Sequence, residues 1–439
     1  MDPRPVELAI EARHVAPVVP AGVLEQHSVI IDGGAIVAVL PTAAARRQYR
    51  PRQTVSLPEH LLIPGLVNTH THAAMTLMRG LADDLPLMEW LAGHIWPTEA
   101  KHVGPEFVRD GTRLAVAESI RNGVTCFQDM YFFPEQVAEV CRDAGFRATV
   151  SGIVIEFPTA YASGAAEYLD KAEALIAAEH DRELIRVSLA PHAPYTVSDD
   201  SFGRVLGLVR RYGLTLHCHI HETRAEVEES VARSGLRPLA RLDRLGVLGP
   251  WLNAVHMTEL SPAERARIAD AGVHVLHCPE SNLKLASGFC PVGQLLGLGA
   301  NVAIGTDGCA SNNDLDLLGE LKTAALLAKA VAGDAATLPA ARALEMATLG
   351  GAKALHRAHE IGSIEPGKRA DLVAVRMDDL DALPLYDPVS QLVYAGHRRQ
   401  VEEVWIDGVH KLRAGQLVGI DTAALKTTAR RWQQTIRPS

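Results

Sequence analysis

Aromatic residues are scarce, at 5% of 439 residues, so any large core must be filled by aliphatic side chains and alanine. The 47% hydrophobic content can supply that filling. Basic excess is lacking too. The net charge is −9 and the pI about 6.1, which leaves no electrostatic footprint for a nucleic-acid partner. There is no run of like charge and no low-complexity tract. No uncharged apolar stretch reaches the roughly 20 residues that span a bilayer, so no membrane partner is expected. The start, Met1-Asp2-Pro3-Arg4-Pro5-Val6-Glu7, lacks the basic and apolar regions of a signal peptide. Cysteine is sparse: Cys126, Cys141, Cys218, Cys278, Cys290 and Cys309 are scattered, with no Cys-x-x-Cys. In a chain of this length that pattern reads as buried thiols in a reducing compartment, the cytoplasm.

What is present is alternation. Residues 1 to about 60 read as short strands. Ser28–Ile31 and Ala35–Leu40 flank the turn Asp32-Gly33-Gly34. From Leu61 to about Leu349, strand-like runs alternate with helical runs, and a glycine repeatedly closes the helix before the next strand. Ser261-Pro262-Ala263-Glu264 is a helix start with Ser as N-cap, Pro at N1 and Glu at N3. Eight strands are expected near 61–68, 124–129, 148–155, 186–191, 214–220, 253–257, 273–278 and 302–306. Together with the helices they predict an α/β chain with a (β/α)8 TIM barrel. An open doubly wound sheet fits less well. No Gly-x-Gly-x-x-Gly follows the first strand, and polar residues gather at many strand ends. Strand signatures return after Gly362, at Ala370–Val375 and Val401–Ile406, with a turn at Asp407-Gly408. The simplest architecture inserts the barrel, 61–361, into a small β-sandwich built from 1–60 and 362–420, with a C-terminal helix and tail over 421–439.

The strand ends carry the chemistry, because a barrel of this kind places its active site at their C-terminal side. The first strand ends in His70-Thr71-His72, and i, i+2 spacing puts both imidazoles on one face. Such a pair suits a borderline-soft metal such as zinc. A solvated pair of histidines is the bland alternative. Three histidines on the fifth strand, His217, His219 and His221, share one face, and only one of them need bind. His219 is favoured, near the lip and three residues before Glu222. His217 reads as a packed inner-layer residue, and His221 as a residue behind the ligands or in the loop. Asp307 brings a carboxylate at the eighth strand. No lysine ends the fourth strand to bridge two metals, so one divalent metal per chain is expected.

The stretches PGLVNTHTH, PHAPYT, HCHIHET, HCPESNLKLASG, GTDGCASNN and IGSIEPGKRADLVAV carry a resemblance that covers the chain nearly end to end. The chain resembles the amidohydrolase superfamily. Within it, the similarity is to the methylthioadenosine/S-adenosylhomocysteine deaminases, relatives of the triazine hydrolases. The resemblance implies zinc on His70, His72, His219 and Asp307. It implies Glu222 as proton shuttle, His256 as a second polar contact at the water, and Glu99 and His192 as substrate contacts. The chemistry agrees. A zinc-activated water attacks an electrophilic carbon such as adenine C6, a protonated Glu222 donates to the adjacent ring nitrogen and then to the leaving amine, and Asp307 and His256 orient and deprotonate the water. Read alone, His192 could simply cap a turn, and Glu99 could be a solvated helix residue. Met75, Leu77, Met78, Trp90 and Trp96 read mostly as core, with one or two lining the site.

The expected activity is deamination of a 6-aminopurine nucleoside. The alternatives are an aminohydrolase or chlorohydrolase of guanine, cytosine or an s-triazine, or a barrel scaffold that lost its metal. The filled ligand positions weigh against a scaffold. A homodimer or higher homo-oligomer is an open expectation. After the third strand, residues 155–168 hold no Arg or Lys but carry Glu156 and Glu167, whose charge would repel a substrate carboxylate, while Phe157, Tyr161 and Ala162 could wrap a methylthio group. That predicts methylthioadenosine as the preferred substrate, adenosine as accepted and S-adenosylhomocysteine as poor.

Overall fold

The structure, a computed structural model, describes residues 2–179 and 183–437. Four strands come first: β1 (Arg4–Val15), β2 (Leu24–Asp32), β3 (Ala35–Pro41) and β4 (Tyr49–Pro64). Eight barrel strands follow: β5 (Leu66–Thr71), β6 (Val124–Asp129), β7 (Arg147–Val154), β8 (Ile185–Pro191), β9 (Thr215–Ile220), β10 (Leu252–His256), β11 (His274–His277) and β12 (Asn301–Ile304). The chain then returns through β13 (Leu372–Arg376), β14 (Val401–Ile406), β15 (Val409–Arg413) and β16 (Gln416–Leu417).

The barrel strands pair in parallel in sequence order. The seam between β12 and β5 is held by Asp307 N–H donating to His70 O at 3.0 Å and Thr69 Oγ1 donating to Ile304 O at 2.9 Å. Gly305 makes that approach possible, since a Cβ there would lie 2.8 Å from His70 N. The seam therefore closes at the histidine pair. Between strands, helices cover the barrel. The helix Pro262–Ala271 has the expected capping box on Ser261 and ends at Gly272, where φ is 70°.

The other sheet is mixed, in the order β16-β15-β14-β13-β4-β1-β2-β3, with β1 and β4 parallel and the remaining pairs antiparallel. It folds back on itself. The β2–β3 turn meets the β14–β15 turn, Ala370 N–H donates to Gly34 O at 2.9 Å, and an apolar layer including Ile10, Ile31, Leu62, Leu372 and Trp405 is enclosed. This is the sandwich expected from the two chain ends. The expected first barrel strand is divided, however. Residues 61–64 pair with β13 in the end sheet, and the barrel strand begins at Leu66. Gly65 is the crossing point, packed so tightly that a Cβ would fall 2.0 Å from Thr125 Oγ1.

A buried guanidinium fastens the two sheets together. Arg147, 1% exposed at the start of β7, donates to Asp371 through Nε at 2.8 Å and Nη2 at 3.1 Å, and to Asp407 at 2.7 Å. The C-terminal helix Thr422–Ile436 lies on the helix Pro105–Arg121, with Trp432 edge-on to Phe107. Among the described residues, no helix is long and apolar enough to cross a membrane.

Candidate active site

Inward-facing residues of β5 and β9 come first. Strand alternation brings Asn68, His70 and then His72 to the barrel interior from one side, and His217 and His219 from the other. Past the end of β12, Asp307 turns inward with φ of 62°. His256, at the end of β10, has φ of 73°. Left-handed backbone in a non-glycine residue costs about 1–3 kcal/mol and gathers where function over-determines the local structure. Both strained residues aim side chains at the same point.

That point is tightly defined. The Nε2 atoms of His70 and His72 each lie 3.2 Å from Asp307 Oδ1, and His219 Nε2 lies 3.3 Å from His70 Nε2. Two overlapping triads, His70/His72/His219 and His70/His256/Asp307, each keep their ligand atoms within 4.8 Å of one another. The tautomers follow from the partners. His72 Nδ1 donates to Met130 O at 2.5 Å and His219 Nδ1 donates to His192 O at 2.8 Å, so each leaves an Nε2 lone pair facing the cluster. Lone pairs and a carboxylate oxygen converging without a donor among them are what a divalent cation satisfies, and the donor set of imidazoles plus one carboxylate suits zinc.

The expected residues assemble here. Glu222 follows β9 and is buried, with Oε2 3.7 Å from His256 Nε2. Burial pushes its carboxyl above the usual range. Asn282 accepts from His256 Nδ1 at 2.8 Å, turning Nε2 toward Glu222. His192 has its ring on the cavity wall and its carbonyl on His219, so it both lines the site and steers a ring. Burial, with His72 and His70 beside it, holds His192 neutral, its pKa pushed down to about 3. Glu99, on the helix Trp96–His102, accepts from Tyr131 Oη at 2.7 Å, and burial raises its carboxyl to about 7.

Of the residues that support the site, the sequence names His217 and His221 but not the roles of Ser281 and Glu226. His217 is fully buried, its Nε2 2.7 Å from His70 Nδ1, which makes it the residue behind a ligand. His221, by contrast, turns away with φ of 54°, donating to Glu259 O and accepting from Leu239 N–H. Ser281 donates to Asp307 Oδ2 at 2.7 Å. Glu226 accepts from the Glu222 and His221 amides at 2.7 and 3.1 Å while Thr223 caps its own amide. Only this last feature had a local signal, the Thr-x-x-Glu spacing of a helix start, and here the Glu226 carboxylate takes the two amides before Thr223 and not the N-cap amide of a capping box.

A cavity of about 320 Å³ opens above the cluster. His72, His192, His219, Glu222, His256 and Asp307 form its polar part, and Met75, Trp90, Trp96, Phe132, Ile153, Ile155 and Leu285 contribute apolar walls. Phe157 lines it, but Tyr161 and Ala162 do not; Tyr161 Oη donates instead to Glu135. The loop carboxylates expected to repel a substrate are also used elsewhere. Glu156 accepts from Ser198 N–H and Ser201 Oγ, and Glu167 accepts from Ser163, because each caps a neighbouring turn or helix. Among the described residues, no Arg or Lys lines the cavity.

A (β/α)8 barrel with three imidazoles and a carboxylate converging at its C-terminal mouth, beside a buried carboxyl, defines a metal-dependent hydrolase. The chain belongs to the amidohydrolase family, whose pattern it matches over residues 61–410. It is 45% identical over 432 residues to a 5-methylthioadenosine/S-adenosylhomocysteine deaminase of Teredinibacter turnerae, covering 98% of each chain. It is also similar to an adenosine deaminase of Xanthomonas campestris solved with bound zinc, at 56% identity and a TM-score of 0.98 over 99% of each chain. A triazine hydrolase variant is 25% identical with a TM-score of 0.91, over 97% of this chain and 99% of that one.

Proposed function

We propose that this protein is a zinc-dependent hydrolytic deaminase that converts a 6-aminopurine nucleoside to its inosine analogue and ammonia, with 5′-methylthioadenosine preferred and adenosine accepted. The observation that carries it is the pairing of a buried Glu222, its carboxyl pushed up by burial, with His256 and Asp307 at the floor of a mostly apolar cavity. Full-length similarity to deaminases of that substrate class supports it.

In this reading His70, His72, His219 and Asp307 hold one zinc ion. When bound, zinc supplies the Lewis acidity that lowers the pKa of a water to about 7. The chain's own residues do the rest. Protonated Glu222 donates to N1 of the purine as water adds to C6, so the negative charge arriving on N1 is neutralised where it forms. Asp307 and His256 orient the water and accept its proton. Glu222 carries a proton to the exocyclic nitrogen, the C6–N bond breaks and ammonia leaves. Glu99, with one oxygen satisfied by Tyr131, offers the other to hydroxyls of the ribose. His192 packs against the base.

The catalytic unit is the barrel segment 61–361, with the end sheet of 1–60 and 362–420 and the C-terminal segment 421–439 as its support. The partner is a small-molecule nucleoside. Exposed Leu380 and Tyr386, at 93% and 90%, offer apolar surface to a second copy, supporting a homo-oligomer. Six free, buried cysteines support a cytoplasmic setting. The test is ammonia release from methylthioadenosine, adenosine, S-adenosylhomocysteine, guanine, cytosine and melamine by the zinc-loaded protein. Deamination confined to the adenine nucleosides, led by methylthioadenosine, is expected. Guanine or melamine as the best substrate would overturn the reading.

A further inference from the structure

Glu222 faces the cavity against the run of its own strand. Alternation along β9 turns His217 and His219 inward, so His221 should follow them and Glu222 should point away. The chain does the opposite, because His221 takes a left-handed backbone with φ of 54°. That step turns the His221 ring outward, where Nδ1 donates to Glu259 O at 2.8 Å and Nε2 accepts from Leu239 N–H at 3.0 Å, and it brings Glu222 into the cavity wall. Left-handed backbone in a residue with a β-carbon is strained and persists only where its surroundings hold it. Two side chains from different elements do so here. Glu226, in the first turn of the helix Arg224–Ser234, accepts from the His221 amide through Oε1 at 3.1 Å and from the Glu222 amide through Oε2 at 2.7 Å. Thr258, just past β10, donates through Oγ1 to Glu222 O at 2.7 Å, and its own amide donates to His221 O at 3.0 Å. Neither side chain lines the cavity. The Glu222 backbone is thus gripped at both its N–H and its C=O, while its carboxyl stands 3.7 Å from His256 Nε2, beyond hydrogen-bond length.

We propose that Glu226 and Thr258 are positioning residues for proton transfer: they hold the left-handed step at His221 and so fix the root from which the Glu222 carboxyl swings. The inference rests on the nucleoside deaminase reading above, in which Glu222 protonates N1 and then carries a proton to the leaving amine. Those two nitrogens flank C6. A fixed backbone with a mobile carboxyl reaches both by side-chain rotation alone, and a root displaced by about 1 Å can cost on the order of 10²-fold in rate. A carboxyl suits position 226 because two neighbouring amides need two acceptors. A side-chain amide there offers one acceptor and sets its own N–H against the other backbone N–H. Thr258 supplies the complementary donor on the carbonyl side.

The experiment measures kcat and KM for methylthioadenosine with the zinc-loaded protein carrying Glu226→Gln or Thr258→Val, each alone and in a Glu222→Gln background. Zinc content and thermal unfolding are followed alongside. Glu226→Gln should lower kcat roughly 10- to 100-fold. Thr258→Val, which removes one hydrogen bond, should lower it roughly three- to tenfold. In both, KM should stay within about threefold of the parent and one zinc per chain should remain. In the Glu222→Gln background either change should alter kcat less than about twofold, because a residue that acts through Glu222 has nothing left to position. Equal losses in the two backgrounds, or a raised KM with kcat unchanged, would overturn the assignment. Thr258→Val keeps the shape of the side chain, so it decides the matter if Glu226→Gln does not fold. A parent that releases no ammonia from any adenine nucleoside overturns the deaminase reading itself, whereas an active parent matched in kcat by both variants overturns the positioning role alone.

Discussion

His217→Ala tests whether the residue behind His70 matters to the metal. The two rings lie edge to edge with centroids 4.9 Å apart and planes 23° apart, His217 Nε2 is 2.7 Å from His70 Nδ1, and both residues are fully buried. Truncation leaves the His70 Nδ1–H without an acceptor in a region closed to solvent. An unsatisfied buried donor costs about 1–3 kcal/mol, or roughly 5- to 150-fold in binding if the whole cost falls on the liganded state. Partners of ligating histidines are typically worth about 10–100-fold in metal affinity. The two estimates overlap, so zinc affinity should fall about 10–100-fold. The assay is zinc titration against a chromophoric chelator, with thermal unfolding of the metal-free protein as a check on the fold. His217→Gln, whose amide oxygen can accept from His70, should recover most of the affinity, whereas His217→Leu should not. At saturating zinc the alanine variant should turn over within a few-fold of the parent, because His217 does not line the cavity. Zinc affinity within threefold of the parent, or Gln no better than Leu, would refute the argument.

His219→Ala should lower both metal content by elemental analysis and turnover; two metals per active chain, or full activity without metal, would contradict the single-ion assignment. Glu222→Gln should keep the metal and lose roughly 10²–10⁴-fold in kcat, as general acid–base catalysis is worth that much. Burial raises Glu99 to about 7, so it gains its charge, and its full capacity to accept ribose hydroxyls, as pH rises through that value. KM for methylthioadenosine should accordingly be lower at pH 8 than at pH 6, and Glu99→Gln should flatten that part of the profile. Arg147→Ala strands Asp371, 4% exposed, without its cation. Breaking a buried pair from one side costs about 3–5 kcal/mol, measurable as a lower denaturation midpoint.

Local periodicity determined a good deal. The barrel was legible because apolar runs of strand length alternate with capped helices, and those periods are properties of the backbone. The pairing of His70 with His72, and the shared face of His217 and His219, follow from the twofold repeat of a strand. Depth along the strand does not. The same repeat puts His217, His219 and His221 on one face; position relative to Glu222 favoured His219, and the tertiary structure gives each its depth: His217 below the cluster, His219 in it, and His221 turned out by its left-handed backbone. The partners that aim the site residues also escaped the sequence. Met130 O, Asn282 and Tyr131 come from other strand ends and loops, and no spacing encodes contacts across a barrel mouth. The loop glutamates show the same limit. Their charge was evident, but Glu156 and Glu167 had already been claimed by serine amides and hydroxyls that only folding brings near. Composition and period set which residues could meet. Closure of the barrel at Gly305 and the crossing at Gly65 decided which ones did, because both need backbone to approach where a single methyl group would block it.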